Sequence, residues 1–134
     1  MKVENKLLPD EKQINEFIEE PDIGPISMVN LLKYKDKAIY EDKRDTKLTG
    51  KEAYQLYAKS VISLIEKYGG SFIFAGSVNR LMLGQVEDLW DDIAIARYPN
   101  RKALMDMTLD PEYQKIHVHR NAGLLGQLNI ETTD

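Results

Sequence analysis

The chain has 134 residues, 43% of them apolar and 30% charged, with a net charge of −4 and no cysteine. That length fits one domain around one core, and the lack of cysteine excludes disulfides, thiolate chemistry and cysteine-based zinc sites. Lysine and arginine are scattered along the chain, which argues against a nucleic-acid footprint or a polybasic membrane patch.

Residues 1–134 read as a single domain. The opening residues offer only Leu7 and Leu8 as an apolar pair, too little for a signal peptide or a membrane span, so a cytoplasmic location is the expectation. Residues 1–22 form a helical extension. Asp10 is a good N-cap with Gln13 at the capping-box position, Ile14, Phe17 and Ile18 follow helical spacing, and Pro21 ends the run. Ile26 to Tyr34 is almost continuously apolar and predicts the first strand.

Residues 35–49 carry charges of both signs with no apolar period, which predicts a solvated, mobile loop, a candidate lid over one end of the sheet. Thr49 and Glu52 make a second capping box, and Tyr54, Tyr57, Ala58, Val61, Ile65 and Tyr68 form one helical stripe before Gly69–Gly70. Ser71 to Leu83 predicts the second strand, with Gly76 as a bulge or kink. Gly84 to Asp88 turns the chain, and Leu89 to Tyr98 returns as the third strand. A short helix holds Ala103, Leu104 and Met107. Asp110–Pro111 then restarts the helix toward Gly123, and Leu124 to Ile130 is the last strand.

After the extension the order is βαββαβ, the split βαβ arrangement: an α+β, ferredoxin-like domain with both helices on one face of a four-stranded antiparallel sheet. The other face should be polar or covered. It is not polar, since Ile93 and Ile95 point one way and Ala94 and Ala96 the other, while Phe72 and Phe74 oppose Ile73 and Ala75. A homodimer joined through sheet packing solves this.

Several segments carry a family resemblance. They include Met28-Val29-Asn30-Leu31-Leu32, Leu48 to Tyr54, Gly69-Gly70, Trp90-Asp91, Tyr98-Pro99-Asn100-Arg101, Met107 to Gln114 and His119-Arg120-Asn121-Ala122-Gly123-Leu124. Together, over about Ile26 to Ile130, they resemble the DUF1330 family of the dimeric α/β-barrel superfamily. The resemblance implies a ferredoxin-like fold and a sheet-to-sheet dimer. It implies little about reaction, because that superfamily spans cofactor-free monooxygenases, lactone isomerases and haem enzymes.

His117 and His119 are the only histidines; on a helix, two residues apart, their rings diverge, so no metal site is expected. Glu87, Asp88, Asp91 and Asp92 read as a solvated turn. His119 and Arg120 are the candidate catalytic pair, one for acid–base work and the other for a carboxylate or oxyanion. The structural alternative pairs Arg120 with Asp91 or Asp92 and sets His119 against backbone near Gly123. Asn30 and Arg97 are polar residues inside apolar strands, and a buried polar group needs a partner or a cavity. With Tyr34, Tyr54, Trp90 and Tyr113 they are the candidate ligand-binding residues, converging on a helix–sheet cavity. Such a site points to a metal-free, cofactor-free small-molecule binder or enzyme, of monooxygenase or isomerase type. The alternative is a non-catalytic dimeric module that senses a ligand or scaffolds a partner. Haem binding is a third reading, through His117 or His119 with Asn30 and Trp90.

Overall fold

The computed structural model describes residues 1–134. The elements are α1 (Glu11–Glu19), β1 (Ile26–Tyr34), α2 (Gly50–Lys67), β2 (Ser71–Ser77), β3 (Asp92–Tyr98), α3 (Arg101–Leu109), α4 (Pro111–Gly123) and β4 (Leu124–Thr132). The sheet order is β2-β3-β1-β4 with every pairing antiparallel, the ferredoxin-like arrangement expected. Both capping boxes form, Asp10 with Gln13 and Thr49 with Glu52, and Asn100 and Asp110 cap α3 and α4. No helix is long and apolar enough to cross a membrane.

Alternation along the strands sorts the sheet into two faces. Ile26 and Met28 of β1 and Ala96 and Tyr98 of β3 lie under the helices, packed with Val61, Leu64 and Ile65 of α2, Met107 of α3 and Tyr113 of α4. Each such aliphatic side chain contributes about 1.5–3 kcal/mol by leaving water. The opposite face carries two apolar rows across the strands, Phe74–Ile95–Val29–Ile130 and Ile93–Leu31–Leu128. No helix covers these rows, and Phe74 is 51% and Ile130 45% exposed.

Three expectations need correction. β2 ends at Ser77 and β3 starts at Asp92, because Leu81, Met82 and Leu83 are exposed and pair with nothing. Apolar content alone had extended both strands. The bulge in β2 falls between Phe72 and Phe74, not at Gly76; Phe72 therefore pairs beside core Ala96 while Phe74 joins the outer rows. Residues 35–49 are also not simply solvated. Ala38 and Tyr40 are buried with Ala53 and Ala122 in a second small core. The backbone is pinned as well: the Lys35 and Ile39 amides donate to the carbonyls of Gly123 and Ala122 at 2.7 and 3.0 Å. The segment is a strap fastened across the end of α4, its charges turned outward between two small anchors.

Candidate functional site

Asn30 lies in the helix-facing row of β1, between buried Met28 and Leu32. Its amide is fully used. Nδ2 donates to the carbonyls of Ala94 at 3.1 Å and Met28 at 3.4 Å, and Oδ1 accepts from Gln127 Nε2 at 2.5 Å and Asn129 Nδ2 at 2.8 Å. Two donors on carbonyls fix which end of the Asn30 amide is oxygen. That in turn fixes Gln127: with its nitrogen spent on Asn30, its Oε1 faces Arg120 and accepts from Nη2 at 2.8 Å.

Arg120 stands on the last turn of α4 and is half-buried. Its other partner is the Asn121 Oδ1, 3.2 Å from Nη1. Both partners are neutral, and no carboxylate oxygen lies within 4.0 Å of the guanidinium. The acids expected to pair with it are engaged elsewhere. Asp91 accepts from the Tyr34 amide at 2.9 Å and faces Lys33 at 3.7 Å; Asp92 accepts from the Tyr34 hydroxyl at 2.6 Å and faces Lys51 at 3.5 Å. Arg44, Arg97 and Arg101 each hold an acid, and Arg80 is exposed. Arg120 is thus the one arginine withdrawn from solvent without a countercharge, an arrangement that costs free energy unless an anion arrives.

A chain of rings borders this cation. Tyr34 packs on Tyr54 at 5.4 Å between centroids, Tyr54 on Tyr57 at 5.3 Å, Tyr57 on Tyr113 at 6.0 Å and Tyr113 on His117 at 5.5 Å. The spacings i,i+3 on α2 and i,i+4 on α4 put these side chains on facing stripes. Burial pushes the Tyr54 hydroxyl up to about 12, against a weaker opposing pull from Arg120. Burial also raises Tyr57, and burial with the Asp92 hydrogen bond raises Tyr34. Burial and then the Arg120 charge push His117 below its ordinary value. Burial thus disfavours the charged forms of Tyr34, Tyr54, Tyr57 and His117, and these rings supply no countercharge to Arg120.

Asn30, Arg120, Tyr34, Tyr54 and Tyr113 lie on the helix side of the sheet, linked through Gln127 and the ring chain; His119, Arg97 and Trp90 lie elsewhere. His119 points the other way along α4, its Nδ1 2.8 Å from the hydroxyl of Tyr40 in the strap, whose ring lies 4.4 Å beneath the Arg44 guanidinium. It meets neither the Arg120 cluster nor the backbone near Gly123. Arg97 is on the outer sheet face, donating to Ser27 Oγ at 3.2 Å and to Asp134 at 3.2 Å; as an odd position of β3 it cannot reach the helix side. Trp90 precedes β3 and donates to Asn5 Oδ1 at 2.7 Å. A concavity of about 670 Å³ lies away from these residues: it is an open hollow on the outer face near Phe74, Gly76, Arg80 and Ile93. Gln127 was missed. Its signal was the same as Asn30's, a lone amide amid the apolar residues of a predicted strand.

The chain matches the model of the family described as "Domain of unknown function (DUF1330)" over residues 44–130. Among solved structures it is similar to the RPA0582 protein, of unknown function, from Rhodopseudomonas palustris. One crystal structure, of the methylated protein, is 30% identical with a TM-score of 0.87, covering 97% of this chain and 95% of that one. A second is 28% identical with a TM-score of 0.86, covering 98% of each. A dimeric protein of unknown function and ferredoxin-like fold from Bacteroides fragilis is 11% identical with a TM-score of 0.55, covering 82% of this chain and 96% of that one, a likeness of fold alone. No curated protein matches the chain.

Proposed function

The chain belongs to the DUF1330 family, and from that premise we propose that it binds small organic anions at Arg120, between the helices and the sheet, without metal or cofactor. The observation that carries this reading is the half-buried guanidinium held only by neutral amides. An arginine fork matches a carboxylate in two parallel hydrogen bonds, and such bonds are about twice as strong as neutral ones. The half-buried Tyr54 supplies flat apolar surface beside it, and Asn30 acts through Gln127. The reading is of binding rather than turnover, because His119, the residue best suited to acid–base work, is engaged with Tyr40 away from the cluster.

The test compares benzoate with its uncharged analogue benzamide in thermal melts. A ligand that binds only the folded state raises Tm in proportion to its affinity. Benzoate is expected to stabilise the wild type, benzamide much less, and Arg120→Gln to remove the difference. Equal responses to the two compounds in the wild type would overturn the reading.

The same proposal includes a homodimer in which the outer sheet face closes on a second copy. It is supported by the two apolar rows, which no element of the chain covers, and by the exposure of Phe74 and Ile130. Sedimentation at micromolar concentration should give twice the chain mass of 15.4 kDa. Replacing Val29 and Ile95 together by lysine should give a folded monomer. A wild type that sediments at 15.4 kDa would remove the dimer from the account.

A further inference from the structure

We propose that Gln127 determines the charge selectivity of the site: it is a neutral clamp that fixes Arg120 without consuming its charge. This inference rests on the anion-binding reading above and adds the residue that sets its specificity.

Four observations support it. Gln127 is 91% buried, with relative exposure 9%, although it sits on a strand of an otherwise apolar core. Both ends of its amide are spoken for, the nitrogen by Asn30 Oδ1 and the oxygen by Arg120 Nη2. Its orientation is dictated from outside, since Asn30 is itself locked by the Ala94 and Met28 carbonyls. The backbone of Gln127 is held as well: its amide and carbonyl pair with Lys6 across the β4 edge at 2.9 and 3.1 Å. The guanidinium is therefore positioned by a relay running from the β3 backbone through Asn30 and Gln127.

The choice of an amide has a chemical consequence. A glutamate at this position would pair with the same guanidinium more strongly, as Glu131 does for Arg101 with bonds of 2.6 and 2.9 Å, but it could not donate to Asn30 Oδ1 as the Gln127 amide does. It would also neutralise Arg120 internally, leaving nothing to attract an anion. An amide oxygen offers one acceptor of no net charge, so most of the electrostatic attraction stays available. Because the half-buried phenol rings of Tyr34 and Tyr54 pack together beside this cation, the ligand class is a planar organic monoanion, an aromatic or conjugated carboxylate. Gln127 does not touch that ligand in this account; it is a positioning residue for Arg120.

The experiment measures Kd for benzoate and for benzamide by calorimetry on wild type, Arg120→Gln, Gln127→Glu and Gln127→Met, with a melt of each. Gln127→Glu is expected to lose benzoate affinity by about tenfold or more, as for any charge-assisted pair that is pre-empted. Its benzamide affinity should be little changed, so that discrimination between the two disappears. Gln127→Met keeps the length and removes the acceptor. It should weaken benzoate severalfold while keeping the preference for the anion, and it supplies the test if the glutamate variant does not fold. A merely structural Gln127 would lower both affinities together in both variants, in step with Tm, and that result overturns the inference. If Arg120→Gln abolishes the benzoate preference and neither Gln127 variant alters it, the clamp is wrong and the anion site stands. If the wild type itself does not prefer benzoate, both fall.

Discussion

Gly123→Ala is expected to destabilise the fold by about 3 kcal/mol, the upper end of the usual cost of overpacking. Gly123 ends α4 and Gly50 begins α2, and the two helices meet there backbone to backbone. A methyl group on Gly123 would lie inside the contact distance of the Gly50 carbonyl oxygen and the Tyr54 amide. One on Gly50 would meet the Lys35 and Gly123 carbonyls. Neither glycine has a positive φ, so the constraint is space rather than backbone conformation. Backbone atoms cannot rotate out of the way as a side chain would, and the Lys35 amide bond to Gly123 holds the strap against the same point. The helices must separate instead. That separation would move Tyr54 away from Arg120, so the residual folded protein should also bind anions more weakly. Chemical denaturation checks the magnitude; a loss below about 0.5 kcal/mol, within the range of an ordinary surface change, would show that the close approach is not required.

The second large effect concerns Asp110 and acid. Its carboxylate accepts from Lys67 Nζ and the Tyr68 hydroxyl, both at 2.7 Å, and from the Glu112 amide at 2.8 Å, joining the end of α2 to the start of α4. The Lys67 and Tyr68 hydrogen bonds, then the Glu112 amide, hold the carboxyl at about 2, below its ordinary 3.8. A folded value below the unfolded one means that ionised Asp110 stabilises the fold. That contribution is complete above pH 4 and is lost as pH falls toward 2 and below. Asp110→Asn keeps a capping side chain but removes the charge. The variant should therefore melt below the wild type at pH 6, and the gap should narrow as pH falls from 4 to 2. A gap independent of pH across that window would show that the charge on Asp110 contributes nothing to the fold.

Much of this fold was legible in the chain. Asp10, Thr49 and Asp110 announced their helices by cap chemistry, and Gly69–Gly70 and Pro99–Asn100 marked the turns. The strands were legible in kind but not in extent. Leu81, Met82 and Leu83 are as apolar as a strand interior yet lie exposed beyond β2, because composition carries no information about which residues find a pairing partner. The strap was misread for the opposite reason. Ala38 and Tyr40 are two buried anchors among many charges, and an average over the segment conceals them.

The site divides along the same line. Asn30 and Arg120 were identifiable because a polar residue on an apolar face must be explained. What joins them is Gln127, and that link depends on register: Asn30 stands opposite Asn129 and Leu32 opposite Gln127, pairings that no local pattern specifies. Arg97 illustrates the same dependence, since one step along β3 separates the helix side from the outer face. His119 lies one residue from Arg120, a rotation of about 100° on a helix, and that rotation carries it to Tyr40 instead of the cluster.

The central claim is that Arg120 is a cation kept available for an anion. The most direct test is to follow the arginine side-chain resonances of ¹⁵N-labelled protein during a benzoate titration, with Arg120→Gln identifying its signal. The Arg120 resonance is expected to shift saturably with benzoate and not with benzamide, while those of Arg44, Arg97 and Arg101, already paired with acids, stay in place. An Arg120 signal unmoved at saturating benzoate would contradict it.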